Sequence, residues 1–167
     1  MKKEHLCLLL ALTFTEIVAA ATPTQRIYPD KKLTPGVVDP SCTAATIQKP
    51  GYTATVRDVP ESVKKQVMIE YGLDPKDSGK YEIDHFISLE NCGSNDIKNL
   101  WPQPYCIPGN DPMKSGCWGA REKDKVETEL SHWVRKGQMP LATDQAILRK
   151  DWIACYKQIA TGKMCTL

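Results

Sequence analysis

Six cysteines constrain this chain more than any other feature. Cys42, Cys92, Cys106, Cys117, Cys155 and Cys165 follow a leader that carries a seventh, Cys7. The leader, residues 1–21, has the three parts of a secretory signal: Lys2 and Lys3 at its start, an apolar core from Leu6 to Phe14, and Ala19-Ala20-Ala21 as the cleavage site. Cleavage removes Cys7 and leaves an even set in an oxidising compartment, so three disulfides are expected in a secreted or periplasmic product that begins near Thr22. Six cysteines allow many pairings. Cys106 and Cys117 bracket one Pro/Gly-rich loop, Cys155 and Cys165 bracket the tail, and Cys42 with Cys92 is the remainder. Zinc is disfavoured, because the chain has no C-x-x-C pair.

The stretch after the leader is the length of one ordinary domain. No segment offers the roughly 20 apolar residues of a membrane span, so a soluble monomer with no membrane partner is expected. The net charge is +2, from 22 Lys and Arg against 20 Asp and Glu. This excludes a polybasic arm, and any nucleic-acid binding must come from a local basic face.

Residues 22–60 are rich in Pro, Thr and Gly and read as an extended N-terminal arm with little regular structure, pinned at Cys42. From Pro60, "ESVKKQVMIEYG" offers Glu61 in a first helical turn, apolar Val63, Val67, Met68 and Tyr71 on one side, and Gly72 as a stop. "YEIDHFISLE", residues 81–90, alternates like a strand, "NCGSND" supplies turn chemistry with Gly93 available for positive φ, and "IKNLWPQPY" returns as the second strand of a hairpin. "GAREKDKVETELSHWVRKG" and "PLATDQAILRKDWIACYKQI" follow as two helices. The first has Val126, Leu130, Trp133 and Val134 as its stripe and Gly137 as its cap. Hairpin plus helices make an α+β domain over residues 61–167.

Asp84 beside His85, then Gly93, Asn99 and "NLWP", is the chemically loaded stretch. "DHFISLENCGSNDIKNLWP" resembles the signature of the HNH, or His-Me finger, endonucleases, and "AREKDKVE" and "AILRKDW" are similar to the downstream pattern of a small bacterial and phage group of that family. The resemblance runs from about Tyr28 to Trp152. It implies a ββα-metal core, a hairpin followed by a helix, in which His85 is the general base, Asp84 a metal ligand, and Asn99 the residue that ties the loop and holds the imidazole. Phosphodiester hydrolysis needs a base that works near neutral pH, which suits an imidazole. It also needs a cation on the phosphate. A hard divalent ion with one or two carboxylates suits this, so Mg²⁺ is the expected cofactor, with Mn²⁺ as the substitute. Neighbouring strand residues point to opposite faces, so Asp84 and His85 are expected where the strand yields to a bulge or loop.

The chain departs from the pattern in the helix, where Ala120 stands at the position of a first-turn His or Asn ligand. Ala120, Lys123, Asp124 and Glu127 share one helical face. Glu127, or else Asp124, is expected to supply a carboxylate to the metal. Lys123 is expected to touch the phosphate or replace part of the metal's charge. Read blandly, these three are a solvated, salt-bridged face. Glu82 and Glu90 are expected to face solvent or brace a turn, Asn95 and Asp96 to form turns, His132 to be structural, and the four tryptophans to fill the core. The expected activity is hydrolysis of DNA, with RNA left open, at little sequence specificity. The competing expectation is an exported nucleic-acid or protein-binding module on a degenerate HNH fold. A toxin role would add a cognate inhibitor protein.

Overall fold

The computed structural model describes residues 26–108 and 116–167. The expected leader with Cys7, residues 22–25 and the tip of the loop between Cys106 and Cys117 lie outside the described residues. The elements in chain order are α1 (Tyr52–Val56), α2 (Glu61–Glu70), β1 (Tyr81–His85), β2 (Leu100–Pro104), β3 (Ile107–Pro108), β4 (Cys117–Trp118), α3 (Ala120–Arg135) and α4 (Leu141–Ala160). They form a mixed α+β fold with small antiparallel sheets. None of the described helices is long and apolar enough to cross a membrane.

β1 and β2 pair antiparallel, with Tyr81 opposite Pro104 and His85 opposite Leu100. Two prolines are tolerated in β2 because a two-stranded ribbon has only edges. The strand expected to run on to Glu90 stops at His85, because Asn99 captures the backbone beyond it. Phe86 N donates to Asn99 O at 2.7 Å and Ile87 N to Asn99 Oδ1 at 2.9 Å. Asn99 itself lies in a 3₁₀ turn, Ile97–Asn99, just ahead of β2. The second small ribbon, β3 with β4, was not expected from a loop-like sequence.

Gly93 does not take the positive φ expected of it; Cys92 does, at 63°. Gly93 is required for a different reason. A Cβ there would sit 1.7 Å from Ile87 O, so only hydrogen lets the loop close on itself. Gly119, before α3, packs as tightly, since a Cβ would come within 2.0 Å of Tyr105 O.

All three expected disulfides are formed. Cys42–Cys92 pins the arm to the loop after β1, Cys106–Cys117 staples β3 to β4, and Cys155–Cys165 ties the tail to α4. The arm is more ordered than its composition suggested. Val38 bridges Gly93, Asp39 N donates to Cys92 O at 2.9 Å, and α1 begins after Gly51, whose φ is 73°.

The core lies between α3, α4 and the loop after β1, with Val126, Leu130, Val134, Ile147, Leu148, Ile47 and Ile87 all buried. Trp101, Trp118 and Trp152 are buried as expected and Trp133 is half-buried. Trp118 meets Trp152 edge to face at 5.4 Å. α4 breaks at Asp151, whose φ of −164° is not helical. Its carboxylate caps the second segment by accepting from Ala154 N at 2.9 Å.

The 3₁₀ turn Leu89–Asn91, between β1 and Gly93, is bolted to both long helices by polar groups. Buried Asn91 donates from Nδ2 to Asp144 Oδ2 at 2.6 Å, Gln145 Nε2 donates to Asn91 O at 3.0 Å, and Ser131 Oγ donates to Glu90 O at 3.2 Å. Asp144 is fully buried with Oδ1 unpartnered. Burial pushes its carboxyl up to about 7, against the hydrogen bond from Asn91 and with a small push from Glu90. A pKa raised by folding means that the native state binds the proton more tightly, so this group's stabilisation is complete below the ordinary carboxyl range and fades as pH rises through about 7. Asp144→Asn should therefore flatten the fall in stability between about pH 4 and pH 8, and be more stable than the parent at pH 8 by on the order of 2–4 kcal/mol. Urea unfolding at a series of pH values checks this, and parallel curves for the two proteins would refute it.

Candidate active site at the end of β1

Asp84 and His85 are the last two residues of β1, and the strand is regular through both. No bulge is present; of the two expected alternatives, the pair lies where the strand yields to a loop. Asp84 turns to α3, where Oδ2 accepts from Lys123 Nζ at 2.6 Å. His85 stands in the wall of a cleft of about 650 Å³ that also takes in Tyr81, Glu82 and Ile83 of the same strand.

Lys123 is fully buried. Its ammonium reaches Asp84 Oδ2, His85 O at 2.8 Å and Glu127 Oε1, which uses all three of its hydrogens. Burial opposes the charge, but Asp84 and Glu127 outweigh it and hold the ammonium above its usual range. The lysine therefore does not reach into the cleft. It serves as an internal cation between two carboxylates, salt-bridged but not on a solvated face.

Glu127, expected as the second metal ligand, is buried and turned onto Lys123. Burial pushes its carboxyl well up, and Asp84 competes with it for the same ammonium. Asp124, the alternative ligand, lies on the exposed side of α3, and partial desolvation by its neighbours and then Asp84 raise its carboxyl. Glu82, two residues before Asp84 on the same face of β1, is raised by burial and then by Asp84 and Asp124. It does not simply face solvent. The end of β1 is thus a focus of hard carboxylate oxygens. Among the described residues no group of three or more His, Cys, Asp or Glu converges closely enough to cage an ion.

Asn99 does to the loop what was expected of it. Its Oδ1 accepts from Ile87 N, and Nδ2 donates to Ile87 O at 2.9 Å and Ser94 O at 2.8 Å, so one amide clamps both arms of the loop from residue 86 to 94. Asn95, expected only to form a turn, holds His85: Nε2 lies 2.9 Å from Asn95 Oδ1. The signal missed in the sequence was its place one loop-width from His85, which depends on how the loop closes. His85 is 3 % exposed. Burial lowers its pKa, Asn95 and Asp84 push it back up, and Arg57 and Lys123 work against the charged form.

The cleft has three cations, Arg57, Lys64 and Lys65, and three acids, Asp58, Glu61 and Glu82. Lys64 is paired with Glu61 at 2.5 Å. Tyr81, Tyr105, Met68, Ile83, Val59, Ser78 and two prolines line the rest. Tyr105 is 45 % exposed. Ala120 is buried behind the site, and His132 is exposed on α3.

Lys123→Met should cost about 3–5 kcal/mol of stability, because it strips the cation from two buried carboxylates. Adding Glu127→Gln should recover part of that loss. Urea unfolding at pH 7 measures both; a midpoint unmoved by Lys123→Met would show that the ammonium does not hold the site together.

Compared with protein-family models, with curated proteins and with solved structures, the chain matches none of them.

Proposed function

We propose that β1, β2 and α3 form the ββα-metal core of a His-Me finger, and that the chain is an exported, metal-dependent endonuclease hydrolysing the phosphodiester bonds of DNA, with RNA open to the same chemistry. The observation that carries this reading is His85 in the wall of a cleft rimmed by Arg57, Lys64 and Lys65, with Asp84 beside it at the strand end. Three disulfides suit work outside the reducing cytoplasm.

The donor set at the end of β1 fits a hard divalent ion. Asp84 spends Oδ2 on Lys123, keeps 11 % of its side chain exposed, and stands near the carboxylates of Glu82, Asp124 and Glu127. Asp84 would hold the ion, Mg²⁺ by default and Mn²⁺ as substitute, with water and substrate oxygens completing its shell. When bound, such an ion neutralises charge on the phosphate and on the departing oxygen. Glu127 acts through Lys123, which fixes the carboxylate of Asp84 and the backbone of His85. His85 takes the proton from the attacking water, and its lowered pKa keeps the imidazole neutral and able to do so. Asn99 keeps the loop from collapsing onto the imidazole. Arg57, Lys64 and Lys65 face backbone phosphates, which favours cutting with little sequence specificity.

One observation favours a second reading, a nucleic-acid or protein-binding module without catalysis: Lys123 and Glu127 are spent on each other, so α3 brings neither to the substrate. Plasmid digestion with Mg²⁺ or Mn²⁺ against EDTA separates the two. The nuclease reading expects cleavage that EDTA abolishes and that His85→Ala lowers by about 10²–10⁴, with circular dichroism unchanged. Near-parental turnover in His85→Ala would sink it. Asp84→Asn should shift half-maximal cleavage to higher Mg²⁺; an unmoved metal titration would take Asp84 out of the ion's shell.

A further inference from the structure

Asn95 stands between two partners that fix which way round its amide lies. Val56 O, the last carbonyl of α1, accepts from Asn95 Nδ2 at 2.7 Å. A carbonyl can only accept, so the amide nitrogen must face α1 and Oδ1 must face the ring. The reverse orientation would set two acceptors against each other at that distance and leave the ring nitrogen facing a donor. Oδ1 also can only accept, so the ring nitrogen 2.9 Å away, Nε2, has to carry the hydrogen. A neutral imidazole has one N–H, and the lone pair then falls on Nδ1.

We propose that Asn95 is a positioning residue that holds His85 in its Nε2–H form and fixes the plane of the ring, so that Nδ1 is the nitrogen that accepts the proton from water. This rests on the reading of His85 as the general base. It also gives the N-terminal arm a part in the site. Val56 aims the amide of Asn95, Arg57 follows it directly in the cleft wall, and Cys42–Cys92 fastens the arm to the loop that carries Asn95. The relay runs from arm to amide to imidazole, and each link is a directional hydrogen bond.

The test uses the full chain with ¹⁵N-labelled histidine. The sequence has three histidines, and His85 is assigned as the signal lost in His85→Gln. In the parent, Nε2 should give the N–H-type resonance with a slowly exchanging proton, and Nδ1 the lone-pair type. Asn95→Ala should speed exchange of that proton, let the two ring nitrogens average, and lower kcat by about 10- to 100-fold at little-changed KM, the size of effect seen when an outer partner of a functional histidine is lost. A parent with its hydrogen on Nδ1 overturns the proposal, as does an Asn95→Ala variant in which either the ring signals or kcat stay as in the parent. A parent that shows the Nε2–H form but cleaves no nucleic acid with any divalent ion overturns the nuclease reading, and not the tautomer.

Discussion

The buried ammonium of Lys123 is the interaction on which the rest of this site depends. A lysine with no solvent exposure is tolerable only when every hydrogen has an acceptor and when opposite charge stands close by. Here Asp84, Glu127 and His85 O meet both needs. One point charge therefore joins α3 to the last two residues of β1. If the helix shifted along its axis, an ammonium or a carboxylate would be left buried and uncompensated, and this cost fixes the register between helix and hairpin. The apolar contacts of Val126 and Leu130 alone would tolerate sliding far better, because hydrophobic attraction is not directional.

From that anchor outward, the site is held by side-chain amides. Asn99 clamps the two arms of the loop, Asn91 ties its 3₁₀ turn to α4, and Asn95 links it to the arm. An amide is suited to this work because it donates and accepts at fixed angles without carrying charge. Gly93 lets the loop close tightly enough for Asn99 to span it, and Cys42–Cys92 holds the arm against the closed loop. The result is an imidazole whose Nε2 is held by one directional bond, on a loop clamped at both arms.

Much of this was legible in the chain. The disulfide pairing followed from which cysteines bracket a loop and which bracket the tail, and the structure forms those pairs. α2 and α3 followed from capping residues and apolar spacing, since these depend on neighbours a turn away. The extent of β1 did not. Phe86 and Ile87 have strand-like composition, but Asn99, a dozen residues on, offered their backbone a better partner than a longer ladder. Gly93 was identified as special for a positive φ, whereas its role is close approach. Both roles leave the same residue in the sequence, and only the backbone path separates them.

What the sequence by itself determined was the local elements and the residues they carry: an acid beside a histidine, an asparagine after a turn, a helix with Lys123, Asp124 and Glu127 on one face, and a cysteine set that staples three segments. What only the tertiary structure decided was the partner of each polar group. Lys123 faces two carboxylates rather than the cleft, Glu127 faces Lys123, and Asn95 faces both His85 and Val56. The physical reason is range. Helix caps and periodicity act over a few residues and are written locally. The partner of a buried charge or amide is whichever group the closed chain brings within about 3 Å, and that depends on packing between segments tens of residues apart.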